Sequence, residues 1–249
     1  MGVTVVIPSK GLNAILSVCI AMTREAFEAA GIADYRVVVV DNASPYPYLP
    51  EEFGAGVEII RFDKPQSFSR ACNTGADCGP DDDVFLLNND VLLHREAIAD
   101  LRETMQAARA DICGARLVFP DGRIQHCGVR IGGPRPVPYH TDNFVPSRLV
   151  SRTIRQQQAV TGAVMWIRGP VFRELGGLDE IYPFAYEDVD FCLRARSAGY
   201  RISCAQRVDS IHFSSMTPGR FTHEDQSRNI FEQRWAGRTT TDADDGLYL

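Results

Sequence analysis

The chain has 249 residues, 45% of them hydrophobic and 23% charged, with a formal charge of −6 at neutral pH. That is enough apolar material for a substantial core, and the charge is too modest for a disordered chain. The acidic balance excludes a general nucleic-acid binder, which needs a basic field against phosphates, but not a small anionic ligand held by a few local groups.

Val3 to Ile7 is a β-branched run closed by Pro8 and reads as a buried strand. Ala14 to Ala30 keeps helical spacing, with Ile15, Val18, Cys19, Met22 and Phe27 offered to one face, and Gly31 stops it. Tyr35 to Val40 is a second buried strand ending at Asp41; a proline-rich loop and a short strand, Val57 to Phe62, follow. Ser67 to Cys78 suits a helix stopped by Gly79 and Pro80, and Asp83 to Leu87 is another core strand. This order predicts an α/β fold with a mostly parallel sheet covered on both faces. Ligands of such sheets bind beyond the carboxyl ends of the strands. Pro8-Ser9-Lys10, Asp41-Asn42-Ala43-Ser44 and Asn88-Asn89-Asp90 therefore fall into one cluster.

The second half is less regular. Glu96 to Ala110 reads as an amphipathic helix, and Ala115 to Phe119 with Gly128 to Ile131 as a hairpin about Asp121-Gly122. Gly132 to Pro146 reads as loop, Ala159 to Ile167 as a strand, Pro170 to Leu175 as a short helix, and Glu187 to Ala198 as a helix closed by Gly199. Arg201 to Cys204 is a further strand; regularity then fades after His212, and residues 236–249 read as a polar tail. No repeat or linker divides residues 1–235, which read as one domain.

Seven cysteines are scattered without C-x-x-C spacing, which favours neither zinc nor a disulfide framework and fits a reducing, cytoplasmic setting. No stretch approaches the roughly 20 apolar residues of a spanning helix, so any membrane association is expected to be peripheral.

Glycine-rich nucleotide loops are missing: Gly54-Ala55-Gly56 lacks a third glycine, and there is no P-loop. Asp90, after a buried strand, is well placed to hold a divalent ion against two phosphates, although a polar turn explains the segment equally well. Asp81-Asp82-Asp83 is the denser acidic run, but its place before the strand reads as a solvated loop. Glu187-Asp188-Val189-Asp190 opens a helix, where acids ordinarily serve as caps and dipole partners. Three carboxylates in four positions exceed what capping needs, and the aromatic segment Tyr182 to Tyr186 precedes them. A carboxylate beside such a wall suits a general base toward a hydroxyl. His212 alone reads as a packed or surface histidine; paired with Asp90 it would be an imidazole donor that manganese tolerates.

Taken in order, VVIPSKG, VVVVDNAS, FSRACNTGA, FLLNND, PDGRIQHCG, VTGAVMWIRGPVFRELGGLDE and FAYEDVDFCLRARSAGYRI followed by His212 resemble glycosyltransferase family 2. The match runs from Val5 to about Trp235, and the PDGRIQHCG and EDVDFCLR pair looks most like its rhamnosyltransferase-type, O-antigen or capsule branch. The resemblance implies a GT-A fold and inverting transfer of a sugar from a UDP- or dTDP-linked donor to a hydroxyl of a glycan or lipid-linked glycan. Residues 1–92 would bind the nucleotide sugar and 93–235 the acceptor. By motif position, Asp41 would hold the base, with Pro8, Ser9, Lys10, Asn42 and Ser44 nearby. Asn73 would lie by the donor diphosphate, and Asn88, Asn89 and Asp90 would also bind the nucleotide sugar. Asp90 and His212 would ligate Mn2+ or Mg2+; Asn88 stands where the metal motif begins with aspartate, leaving one firm carboxylate. Asp188 falls at the position of the base with Glu187 beside it, Asp190 would be structural, and Thr161, Gly162, Trp166 and Tyr186 fall on the acceptor side. An inactive nucleotide-sugar-binding module, or a nucleotidyltransferase or hydrolase on a related sheet, is the alternative.

Overall fold

The computed structural model describes residues 2–132, 136–214 and 224–239. Its first half follows the sequence closely. Strand β1 (Val3–Ser9) is buried on both faces and pairs in parallel with β2 (Tyr35–Asp41), which pairs in parallel with β3 (Val57–Arg61). On its other edge β1 pairs in parallel with β4 (Asp83–Leu87). Helix α1 (Asn13–Ala29) packs one face of this sheet, and α2 (Phe68–Ala76) covers the other. The buried face of α1 is Leu16, Cys19, Ile20, Thr23, Ala26 and Phe27, rotated from the expected stripe, so that Val18 is exposed. Ser67 caps α2 by accepting from the Arg70 N–H, at 3.2 Å. A β-carbon at Gly75 would stand 2.4 Å from a Val6 methyl, so only glycine lets α2 lie this close to β1.

After β4 come the short β5 (Val91–Leu92), α3 (Ala97–Ala108), β6 (Ile112–Val118), β7 (Ile124–His126), β8 (Val129–Gly132) and β9 (Val137–His140). Then follow β10 (Val164–Ile167), α4 (Gly169–Glu174), α5 (Glu187–Ser197), β11 (Ile202–His212) and α6 (Glu224–Trp235). The main sheet runs β3-β2-β1-β4-β10-β6-β11-β5, with β7 on β6. Antiparallel pairs enter through β10, which lies between β4 and β6.

Five expectations change here. The hairpin about Asp121-Gly122 joins β6 to β7, whereas β8 pairs with β9 in a separate two-stranded sheet. β9 therefore runs through a segment read as loop. The strand expected from Ala159 begins only at Val164, and the strand expected to end at Cys204 continues to His212 through an irregularity in its pairing with β6. Helix α6 lies where no regularity was evident; Phe231 and Trp235 anchor it in the core formed with α2, α4 and α5. Most of the expected polar tail, residues 240–249, lies outside the described residues.

All seven cysteines are free and all but Cys78 are buried; burial pushes the Cys19 and Cys192 thiols up to about 12, so they act as small hydrophobes. Among the described residues no helix is long and apolar enough to cross a membrane.

Candidate active site

A cleft of about 470 Å³ opens at the carboxyl ends of β1 and β4. Pro8, Ser9, Lys10, Asn42, Asn88, Asn89 and Asp90 line it from the first half, and Thr161, Gly162, Tyr186, Glu187 and Asp188 from the second. The three polar segments at the ends of β1, β2 and β4 thus share one cavity, as the strand-end rule requires. Gln66, Phe68, Tyr139 and His140 also line it. None of these four stands out in the sequence, because Gln66 lies in a loop, Phe68 at the start of α2, and Tyr139 and His140 in β9, and each reaches the cleft only through tertiary packing.

The floor is tied by hydrogen bonds among its polar side chains. Ser9 Oγ meets Tyr48 OH at 2.7 Å and accepts from Asn89 Nδ2 at 2.8 Å. Burial raises the Tyr48 phenol above its ordinary value, so it remains a neutral partner. Asn42 clasps the backbone of Gln66, donating to its carbonyl at 2.9 Å and accepting its N–H at 2.7 Å. This fixes the loop between β3 and α2 against the cleft wall.

Asp90 meets His212 because of sheet register. Short strand β5 pairs antiparallel with the end of β11, setting Val91 opposite His212. His212 Nε2 then lies 3.1 Å from Asp90 Oδ1 and 3.3 Å from Asn88 Nδ2. Among the described residues no three His, Cys, Asp or Glu side chains converge. Asp90 and His212 nonetheless form a hard-oxygen and imidazole pair, a donor set suited to a manganese-type ion that takes its remaining ligands from a diphosphate.

Asp188 is held differently. Its Oδ2 accepts the Gly162 N–H at 2.8 Å and its Oδ1 accepts the Val189 N–H at 2.8 Å. Each oxygen keeps a lone pair, and the side chain is only partly buried. The chain enters α5 through two successive left-handed residues, Ala185 (φ 61°) and Tyr186 (φ 71°). Such a conformation is unfavourable for residues with a β-carbon, and here it turns the first helical turn toward the cleft. Near Asp188 the cleft wall carries His140, whose Nδ1 lies 3.0 Å from Nδ1 of the fully buried His126.

Four expected site residues lie elsewhere, and His212 is buried beside Asp90 without lining the cleft itself. Asp41 is fully buried, paired with Arg61 and accepting the Ser44 N–H at 2.9 Å, so it holds the loop after β2 rather than facing a base. Ser44 accepts the Gly11 N–H at 2.8 Å and serves the same loop. Asn73 grips Leu178 through both backbone groups, at 2.9 Å each, joining α2 to the loop after α4. Trp166 is core: its indole donates to Asp83 Oδ2 at 3.0 Å, while Asp83 Oδ1 accepts the Gly169 N–H. Asp82 likewise accepts from Thr4 and Arg36, so only Asp81 of the acidic run behaves as a solvated loop residue.

The family model for glycosyl transferase family 2 matches residues 4–160, and that for glycosyl transferase family group 2 matches residues 84–237. The chain belongs to glycosyl transferase family 2. It is 30% identical over 240 residues to the uncharacterized protein y4gI of Sinorhizobium fredii, covering 90% of this chain and 25% of that one. To the O-antigen biosynthesis protein RfbC of Myxococcus xanthus it is 26% identical, over 73% of this chain and 15% of that protein. To the low-salt glycan biosynthesis hexosyltransferase Agl10 of Haloferax volcanii it is 25% identical, over 83% and 67%. The chain thus spans a quarter or less of two of these relatives. A crystal structure of GalNAc-T7 with UDP, GalNAc and Mn2+ superposes with a TM-score of 0.63 at 15% identity, covering 85% of this chain and 44% of that one. This family 2 chain therefore has the GT-A type of nucleotide-sugar transferase fold.

Proposed function

We propose that this domain is an inverting glycosyltransferase that moves a sugar from a UDP- or dTDP-linked donor to a hydroxyl of a glycan or lipid-linked glycan in cell-surface polysaccharide synthesis. One observation carries the reading: a cleft-facing carboxylate, Asp188, oriented by two backbone N–H groups in the cavity that Asp90 also lines, with His212 buried in contact with Asp90. Residues 1–92 hold the donor and residues 93–235 the acceptor. The seven free cysteines support a cytoplasmic setting, with any membrane contact peripheral.

Asp188 takes the proton of the acceptor hydroxyl. The oxygen attacks the anomeric carbon as the bond to the diphosphate breaks and its electron pair leaves with the diphosphate. One displacement inverts the anomeric centre and needs no second carboxylate. Among the described residues lining the cleft, Lys10 is the one basic side chain other than histidine, and it is too little to balance a departing diphosphate. Asp90 and His212 would hold the divalent ion, Mn2+ or Mg2+, that supplies the remaining positive charge. Pro8 and Asn42 shape the nucleotide side, while Thr161, Gly162 and Tyr186 flank the acceptor side beside Asp188.

A thermal-shift panel of UDP- and dTDP-sugars, run with and without Mn2+, tests this reading. At least one donor is expected to raise Tm, and to do so more strongly with Mn2+; the product should carry the opposite anomeric configuration by NMR. Donor binding without sugar transfer to any acceptor would instead favour an inactive binding module. A panel in which no nucleotide sugar shifts Tm would remove both readings.

A further inference from the structure

The segment PDGRIQHCG supplies no lining residue to the cleft, yet its glutamine reaches the candidate metal pair. Strands β7 and β11 both pair with the end of β6: Leu117 sets against His126 in one and Ser210 in the other. That arrangement carries Gln125, nine-tenths buried, to the last residue of β11. The Gln125 amide grips residue 212 twice. Its Nε2 donates to the His212 backbone carbonyl at 3.3 Å, and its Oε1 lies within hydrogen-bonding distance of His212 Nδ1.

The two contacts fix each other's polarity. A backbone carbonyl only accepts, so the amide nitrogen of Gln125 must face it. The amide oxygen is then left facing the ring, and it too only accepts. His212 Nδ1 must therefore carry the hydrogen. A flipped amide would set oxygen against the carbonyl and lose that bond. In the neutral ring, the proton on Nδ1 leaves Nε2 bare.

That bare nitrogen is the one facing Asp90 Oδ1 at 3.1 Å. Two electron-rich atoms in contact repel unless a proton or a metal cation lies between them. Asn88 Nδ2, at 3.3 Å, offers Nε2 a neutral donor when no ion is present. We infer that Gln125 is a positioning residue: it locks His212 in the Nδ1–H tautomer and so builds, with Asp90, the cation site of the cleft. This rests on the reading of Asp90 and His212 as ligands given above, and it gives the glutamine of the QHCG stretch a specific task. Partners of this kind behind a ligating histidine commonly govern affinity by 10–100-fold.

The experiment joins 15N NMR of the histidine rings in the metal-free chain with Mn2+ titration by electron paramagnetic resonance. In the wild type the His212 ring should show the Nδ1–H signature, and Mn2+ should bind. Gln125→Met, close in volume but unable to bond the ring, should shift His212 toward the other tautomer and weaken Mn2+ about 10–100-fold. Gln125→Glu keeps an acceptor oxygen for Nδ1–H in either protonation state and should restore most of the affinity. A general packing role would instead affect both variants through Tm alone. Mn2+ affinity within two-fold of wild type in Gln125→Met, a wild-type ring protonated on Nε2, or a wild type that binds no Mn2+ would overturn the inference. A wild type with the predicted tautomer and Mn2+ binding but no sugar transfer would leave it standing while removing the transferase reading.

Discussion

Asp188 and Asp190 lie two residues apart in the first turn of one helix, yet they inhabit different chemical worlds. Asp190 points into the core, with no exposed surface. Its Oδ1 accepts from Tyr182 OH at 3.0 Å and Trp235 Nε1 at 2.9 Å, and its carboxylate pairs with Arg194 at 2.9 Å and Arg234 at 3.3 Å. Asp188 faces the cleft, its two carboxylate oxygens each accepting a backbone N–H. The contrast teaches how an acidic cluster divides its labour. A carboxylate saturated by cations and hydroxyls is a structural joint; one oriented by the backbone and open to a cavity keeps the lone pairs that proton transfer needs.

Stability is the first way to break this contrast. Asp190→Ala strands two guanidiniums, a phenol and an indole around a buried gap. Losing one partner of a buried ion network costs about 3–5 kcal/mol, which lowers Tm by on the order of 10 °C in a chain of this size. A thermal melt within 2 °C of wild type would show that the core face is not the joint described. A smaller effect comes from Asp179, which pairs with Arg234 at 2.6 Å at the edge of the same network. Burial opposes its charge, but Arg234 and the Ile181 N–H outweigh burial and hold the carboxyl below the usual aspartate range. A depressed folded pKa contributes stability above the unfolded value, about 3.9, which is lost as pH falls through the lower folded value. Asp179→Asn should therefore lower Tm by about 1–3 °C at neutral pH, with the gap closing below about pH 4. A gap of constant size between pH 7 and pH 3 would remove this ion pair from the account.

Much of the frame was legible in the sequence because burial on both faces writes itself as continuous β-branched runs. Val3 to Ile7, Tyr35 to Val40 and Asp83 to Leu87 all became strands within two residues of expectation. Three polar strand ends therefore pointed to one cleft. The second half was harder to read because its order is imposed by pairing rather than local pattern. Strand β11 runs on through an irregular stretch, Ala205 to Ser210, where the sequence alternation breaks down. Helix α6 is mostly polar and is held by Phe231, Trp235 and the pull of Asp190 on the indole, none of which gives a periodic signal.

Site residues divided along the same line. Residues beside a strand end reached the cleft, but a motif position does not say which way a side chain turns. Asp41 and Asn42 are adjacent at the end of β2; the first turns inward to Arg61, and the second meets the cavity. Trp166 and Thr161 share a motif, yet β10 carries the indole to the far end of the sheet, against Asp83. Gln125 was invisible for a further reason: its partner is 87 positions away and meets it only after β7 and β11 have both joined β6.

The most direct measurement of the central claim is Asp188→Asn, assayed by calorimetry of donor binding beside the rate of transfer at saturating donor. The amide keeps the shape and one acceptor oxygen but cannot take a proton. Tm and donor affinity should stay close to wild type while kcat falls about 10²–10⁴-fold. An Asp188→Asn enzyme that transfers sugar at the wild-type rate would contradict the assignment of the base and with it the division of the acidic cluster.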